Sequence, residues 1–229
     1  MGGIQLGSLR DYGGWIVSRN RSVAIVVAFG AFVAQSACAD TVTVAALGDS
    51  LTQGYGLPVD QGFVPQLESW LIAEGADVRV INAGVSGDTT AGGLARVGWT
   101  LTPEVDAMIV ALGGNDMLRG LDPAESRENL AGILDVARMQ GVPVLLVGIP
   151  AAANYGPDYK AAFEGMFPAL AAEYHTALFP DFFAGLRGGD EAAARLQYFQ
   201  DDGIHPNAEG VARIVAAIGP AVLDLIEED

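Results

Sequence analysis

Residues 41–56 read TVTVAALGDSLTQGYG. The first seven are short, β-branched and apolar, and they stop at Gly48, as a buried strand does when it ends in a turn. Asp49, Ser50 and Leu51 follow, then a glycine-rich stretch. A serine at a strand exit has two readings. It caps a helix, or it is a nucleophile held at the edge of a sheet.

The chain beyond this point alternates short apolar runs with amphipathic stretches. Residues 63–75, FVPQLESWLIAEG, repeat apolar side chains at helical spacing and stop at Gly75. VRVINAG (78–84) predicts a second strand, and TTAGGLARVGWTL (89–101) a glycine-weakened helix. DAMIVALGG (106–114) is nearly all apolar, as a strand buried on both faces should be. DPAESRENLAGILDVARMQG (122–141) predicts a helix with Pro123 at its start and Gly141 at its end. VPVLLVGIP (142–150) is a fourth strand. PDYKAAFEGMFPALAAEYH (157–175) is helical, with Pro168 expected to kink or split it. TALFP (176–180) is a fifth strand, and residues 206–226 close the chain as a helix. Strand alternating with helix implies right-handed crossovers and a parallel sheet with helices on both faces. Ligands of such sheets bind beyond the carboxyl ends of the strands. The glycines of RGGDE (187–191) read as a surface loop, and no linker or repeat divides the chain.

The 229 residues suit one domain. With 28 acidic residues against 12 Lys and Arg, the chain is a poor partner for nucleic acid, which needs clustered positive charge. The N-terminal segment differs from the rest. Arg10, Arg19 and Arg21 precede the uncharged run SVAIVVAFGAFVA, and SACAD follows with Ala37 and Ala39 around Cys38. This is a basic region, an apolar region and an A-x-A cleavage site, which makes residues 1–39 a signal peptide cut after Ala39 and leaves residues 40–229 as the domain. The run from Ser22 to Ala39 is near the minimum of roughly 18 residues for a spanning helix, so a retained anchor is the alternative. Lipid attachment at Cys38 fits less well, because Gln35 stands where leucine is usual. Cleavage predicts a periplasmic or secreted protein without stable membrane insertion. It also removes the only cysteine, and with it any disulfide or thiolate chemistry.

The polar residues that could do chemistry lie at strand exits and loops. Ser50 follows strand one, NAGVSGDTT with Gly84 follows strand two, GGND with Asn115 follows strand three, and DDGIHPN with Asp202 and His205 precedes the last helix. Acyl transfer needs a nucleophile, a base, a group to orient the base, and donors for the oxyanion. Of two histidines, His175 ends a helical stretch, where a cation is favoured by the helix dipole. His205 stands three residues after Asp202, so the carboxylate can reach one ring nitrogen and fix the tautomer. The plain alternative is that Asp202 or Asn207 caps the last helix. Gly84 offers an unobstructed backbone N–H, Asn115 a side-chain amide, and Ser50 a further N–H if a helix begins there. Equally, Gly84 and Gly87 could be turn glycines, and Asn115 with Asp116 could cap a helix.

GDSLTQGYG, NAGVSGDTTAGGLARV, ALGGNDMLRGL and QDDGIHPNAEG resemble, in order and spacing, the four blocks of the SGNH (GDSL-type) serine hydrolases, over most of residues 42–215. The closest resemblance is to the secreted bacterial arylesterase, thioesterase and lysophospholipase branch, which NYGPDYKAAFEGMFPALAAEY also resembles. The resemblance implies a three-layer α/β/α sandwich around a five-stranded parallel sheet. It implies Ser50 as nucleophile, Asp202 and His205 as the rest of a triad, and Ser50 N–H, Gly84 N–H and Asn115 as the oxyanion hole. The substrate would be a small ester or thioester, with no metal or organic cofactor. In GIPAAANYG (148–156) three alanines occupy a loop that in this family helps line the acyl pocket. Ala152, Ala153, Asn154 and Tyr155 are therefore expected to contact the substrate as a smooth, apolar lining.

Other chemistries fit less well. No G-x-S-x-G lies near a strand, as a standard α/β-hydrolase would require. No Gly-Lys-Ser/Thr marks a phosphate loop, and GGLARVG lies too far into a helix for a dinucleotide site. Asp201, Asp202 and His205 are too close in sequence to make a good metal site. A carbohydrate acetylesterase of the same fold, or a non-catalytic periplasmic binding module, is a further alternative.

Overall fold

The seven residues of β1 (Val42–Gly48) form an inner strand of a five-stranded parallel sheet. The strand order is β2 (Val78–Gly84), β1, β3 (Ala107–Ala111), β4 (Val144–Val147), β5 (Ala177–Phe179). The computed structural model describes residues 41–189 and 191–227. The expected signal segment 1–39 lies outside the described residues. β3 and β4 are buried throughout and β1 almost throughout, whereas β2 and β5, at the sheet edges, are partly exposed. The apolar runs that marked the strands are thus longest where both faces are covered.

The connections set the layers. α2 (Phe63–Ala73) carries the chain from β1 outward to β2. α3 (Thr90–Thr100), α5 (Pro123–Gln140) and α6 (Pro157–Tyr174) carry it in the opposite direction along the sheet. Right-handed crossovers therefore put α2 on one face and the other three on the opposite face. α3 packs on α5 and α5 on α6, while α8 (Ala208–Glu227) packs beside α2. This is the expected three-layer sandwich. No helix among the described residues is long and apolar enough to cross a membrane.

Local chemistry places the helix ends. Asp122 accepts the Ala124 N–H at the start of α5, Pro123 fills its first turn, and Gly141 closes it at φ 71°. Pro168 neither kinks α6 into two nor ends it; the helix runs unbroken from Pro157 to Tyr174. Pro168 is exposed, so the hydrogen bond it removes faces water. Phe163, Phe167, Leu170 and Ala171, buried on the other side, hold the flanking turns against the core. Three short helices appear that the sequence reading did not assign: α1 (Ser50–Gln53), α4 (Gly114–Leu118) and α7 (Glu191–Tyr198). The first two follow directly from β1 and β3. They are too short to show a helical period.

The chain leaves β1 for β2 on one side and returns to β3 on the other. The crevice at that reversal, past the carboxyl ends of β1 and β3, is where this topology receives ligands.

Candidate active site

Ser50 opens α1 at the exit of β1. Asp49 caps that helix: its Oδ1 accepts the Leu51 N–H at 3.0 Å. Its Oδ2 accepts Asn115 Nδ2 at 3.1 Å. The sequence left open whether Ser50 was a helix cap or a nucleophile; the cap is Asp49, so the Ser50 hydroxyl is available. Ser50 N–H, in the first turn of a helix, has no intrahelical acceptor. Asp49 is 2 % exposed. Burial pushes its carboxyl up to about 6, against the opposing pull of its bonds from Leu51 and Asn115.

Asp202 and His205 lie on a turn clamped at its base, where Gln200 N–H donates to His205 O at 2.8 Å and Asn207 N–H donates to Tyr198 O at 2.8 Å. Gly203, at φ 65°, makes the tight bend between them. Asp202 Oδ1 accepts the N–H groups of Ile204 (2.8 Å) and His205 (3.0 Å). Asp202 Oδ2 is 2.7 Å from His205 Nδ1, and His205 Nε2 is 2.9 Å from Ser50 Oγ. A carboxylate only accepts, so Nδ1 carries the proton and Nε2 receives the serine hydroxyl. The histidine ring bond and these two N–H groups hold the Asp202 carboxyl down at about 2, well below its ordinary value. The cap of α8 is Asn207, whose Oδ1 accepts Gly210 N–H at 3.0 Å. Asp202 is thereby left to the histidine. The Tyr55 ring leans on the imidazole with centroids 4.6 Å apart. His175 ends α6 in the left-handed region at φ 52°, away from these groups.

Gly84, expected from the sequence to offer its N–H to an oxyanion, does not line the cavity beside Ser50. Gly84 is the last residue of β2, and its N–H donates to Asn82 Oδ1 at 3.0 Å. It must be glycine because a Cβ there would stand 2.3 Å from the backbone nitrogen of Gln53, where α1 crosses β2. Gly87, three residues on, lines the cavity beside Ser50 and Asn115. Its φ is +83°, and its N–H has no acceptor among the described residues. The signal was present in VSGDTT, a turn-forming run that ends in a helix cap. Asn115 lies within α4, so it does not cap that helix; one amide hydrogen goes to Asp49 and the other remains for a ligand. Asp116, its neighbour, is buried and accepts Thr90 N–H (2.9 Å), Thr90 Oγ1 (2.5 Å) and Ser126 Oγ (2.9 Å), joining α3, α4 and α5.

The cavity has a volume of about 410 Å³. Ser50, His205, Gly87 and Asn115 form its floor, and Leu51, Tyr55, Met117, Leu118, Ile149, Pro150, Phe183, Phe199 and Ile204 form apolar walls. The expected lining residues Ala152, Ala153, Asn154 and Tyr155 are not among them; all four are exposed. Lys160 and Glu164 of α6 explain this. Lys160 Nζ donates to Ala151 O at 2.7 Å and Glu164 Oε1 accepts Ala151 N–H at 3.0 Å, which turns Ile149 and Pro150 inward and the following residues outward. Tyr155 instead donates its hydroxyl to Leu118 O at 3.2 Å and backs the wall from outside. A second cavity of about 720 Å³ shares Phe183, Phe199 and Gly203 with the first and contains no part of the Ser50 cluster. Among the described residues no group of three or more His, Cys, Asp or Glu side chains converges as metal ligands would.

A serine, a histidine and a carboxylate in hydrogen-bonded sequence, beside unpaired donors in an apolar cleft, are suited to acyl transfer. Residues 46–213 match the GDSL-like Lipase/Acylhydrolase family. The chain belongs to that family. It is 44% identical over 193 residues to Esterase TesA of Pseudomonas aeruginosa, covering 84% of this chain and 92% of that one. It is 34% identical over 197 residues to the thioesterase 1/protease 1/lysophospholipase L1 of Escherichia coli K12, covering 85% and 89% respectively. The crystal structure of TesA superposes with a TM-score of 0.72 at 42% identity, over 80% of this chain and 99% of that one. The protein is thus an SGNH hydrolase that acts on ester bonds.

Proposed function

We propose that the protein is an exported serine esterase that works through an acyl-enzyme. His205, oriented by ionised Asp202, takes the Ser50 proton as Ser50 Oγ attacks an ester or thioester carbonyl. Ser50 N–H, Gly87 N–H and the unshared hydrogen of Asn115 Nδ2 receive the oxyanion. His205 then protonates the leaving alcohol or thiol, and water, deprotonated by the same ring, releases the acid and restores Ser50. These side chains account for every proton moved. The observation that carries the reading is the single line of contacts from Asp202 Oδ2 through His205 to Ser50 Oγ, 2.7 and 2.9 Å long.

The apolar walls favour acyl chains of short to medium length and give a sugar few partners, so an acyl ester or thioester fits better than an acetylated carbohydrate. The basic and apolar segment before Ala39 supports export, cleavage after that residue, and action in the periplasm or outside the cell. Hydrolysis of p-nitrophenyl acetate, butyrate and octanoate by the wild type and by Ser50→Ala tests the chemistry. Turnover by the wild type alone supports it, and equal turnover by both refutes it. The N-terminal sequence of protein recovered from an exporting host tests cleavage; an intact Met1 start would refute it.

A further inference from the structure

Arg96 does not line the cavity, yet its guanidinium holds three segments that bear on the chemistry. From the second turn of α3, Nη2 donates to Gly48 O at 2.9 Å, two residues before Ser50. Nη1 donates to Ala83 O at 2.7 Å, near the exit of β2. Nε is 2.7 Å from Asp88 Oδ2, the residue after Gly87. The ion pair is largely shielded, with the two side chains 24% and 14% exposed. The fold makes room for it: a Cβ on Gly92 would fall 1.7 Å from Asp88 Oδ1, so the first turn of α3 admits the carboxylate only because glycine is there. From the outer side, Arg119 Nη2 donates to Gly87 O at 2.7 Å. The Gly87 turn is therefore fixed from both sides while its N–H has no acceptor among the described residues.

We propose that Arg96 is a positioning residue for the reaction: it sets the distance between the nucleophile turn after β1 and the Gly87 turn after β2, so that the Ser50 and Gly87 N–H groups converge on one oxygen. This rests on the Ser50 esterase reading above. A planar guanidinium serves three acceptors in fixed directions; an ammonium on a flexible stem cannot. Oxyanion stabilisation depends on donors held 2.7–3.1 Å from the developing charge, and a displacement of about 1 Å can cost roughly a hundredfold.

The test compares the wild type with Arg96→Lys and, should that variant fold poorly, Asp88→Asn, which keeps both carbonyl contacts and loosens only the turn. Active sites are first counted by stoichiometric reaction with a fluorophosphonate. Then kcat per titrated site, KM for p-nitrophenyl butyrate, and inhibition by an alkyl trifluoromethyl ketone are measured. That ketone forms a tetrahedral adduct whose oxygen needs the same donors. Arg96→Lys should lower kcat per site roughly 10- to 100-fold with KM changed less than about twofold, and weaken the ketone by the same factor as kcat/KM. Asp88→Asn should move both quantities in parallel by a smaller factor. A merely structural role would reduce the number of titrated sites or the Tm but leave kcat per site and ketone affinity unchanged, and that result in both variants overturns the proposal. If the wild type itself fails to titrate, or Ser50→Ala remains active, the esterase reading fails instead.

Discussion

The turn after β1 and the loop after β4 both leave the sheet on the same side, yet one was legible in sequence and the other was not. After β1, Asp49 and Ser50 follow the strand directly, and their neighbours are strand ends: Gly84 under α1, Asn115 at the exit of β3. After β4, the residues facing the cavity are Ile149 and Pro150, and a lysine and a glutamate ten or more positions later decide it. Position relative to the sheet follows from hydrophobic period. Which way a loop faces depends on the side chains that pin it.

This contrast can be broken experimentally. Replacing Ser50 by alanine should remove turnover by about 10⁴-fold or more, and His205→Ala by a similar factor, measured on p-nitrophenyl butyrate. The two glycines should then separate. Gly87→Ala places a side chain at φ +83° beside the nucleophile and should cut kcat by roughly 10²-fold, with a modest fall in Tm from the strained backbone. Gly84→Ala must displace the Gln53 backbone, so its main effect should be a fall in Tm on thermal melting. Equal kinetic losses in both, with stability intact, would return the oxyanion role to Gly84.

In the loop after β4, a bulky substitution at Ile149 should shift the preferred acyl chain length several-fold in kcat/KM, roughly the worth of one or two methylenes. Ala152→Trp should leave the profile unchanged, because Ala152 faces solvent. A shifted profile from Ala152→Trp would restore the smooth-alanine lining expected from GIPAAANYG.

Two further effects are electrostatic and are read against pH. Asp202 is held down at about 2, so protonation of this carboxylate should not be the cause of any loss of kcat/KM between about pH 4 and 7, read from a pH–rate profile. Asp49 behaves oppositely. Its folded-state value is raised to about 6 while an unfolded carboxyl ionises near 3.8. As pH rises from about 4 to 6 the unfolded chain loses this proton first, so stability should fall across that window, by an amount on the order of 3 kcal/mol. Asp49→Asn should flatten that part of the stability–pH curve, read by urea denaturation at several pH values.

The parallel sheet, its five strands and the long helices were legible because buried strands read as apolar runs and α5 carries its own cap signals in Asp122, Pro123 and Gly141. That Ser50, His205 and Asp202 could meet at one sheet edge was legible because each sits beside a turn and His205 has an acid three residues away. That Gly87, and not Gly84, lines the cavity was not legible, because glycines three residues apart look alike until the backbone shows one bonded and the other open. Tyr55, Phe183 and Phe199 were missed because aromatic residues in loops carry no periodicity to reveal which cavity they face. Pro168 misled because its cost depends on whether it faces water.

The most direct test of the triad is covalent. The protein would be treated with an alkyl fluorophosphonate, and the adduct counted by intact mass and located by peptide mapping. One adduct per chain, on Ser50, is expected, with labelling slowed at least about a hundredfold in His205→Ala. Labelling of another residue, or unchanged labelling of Ser50→Ala, would contradict it.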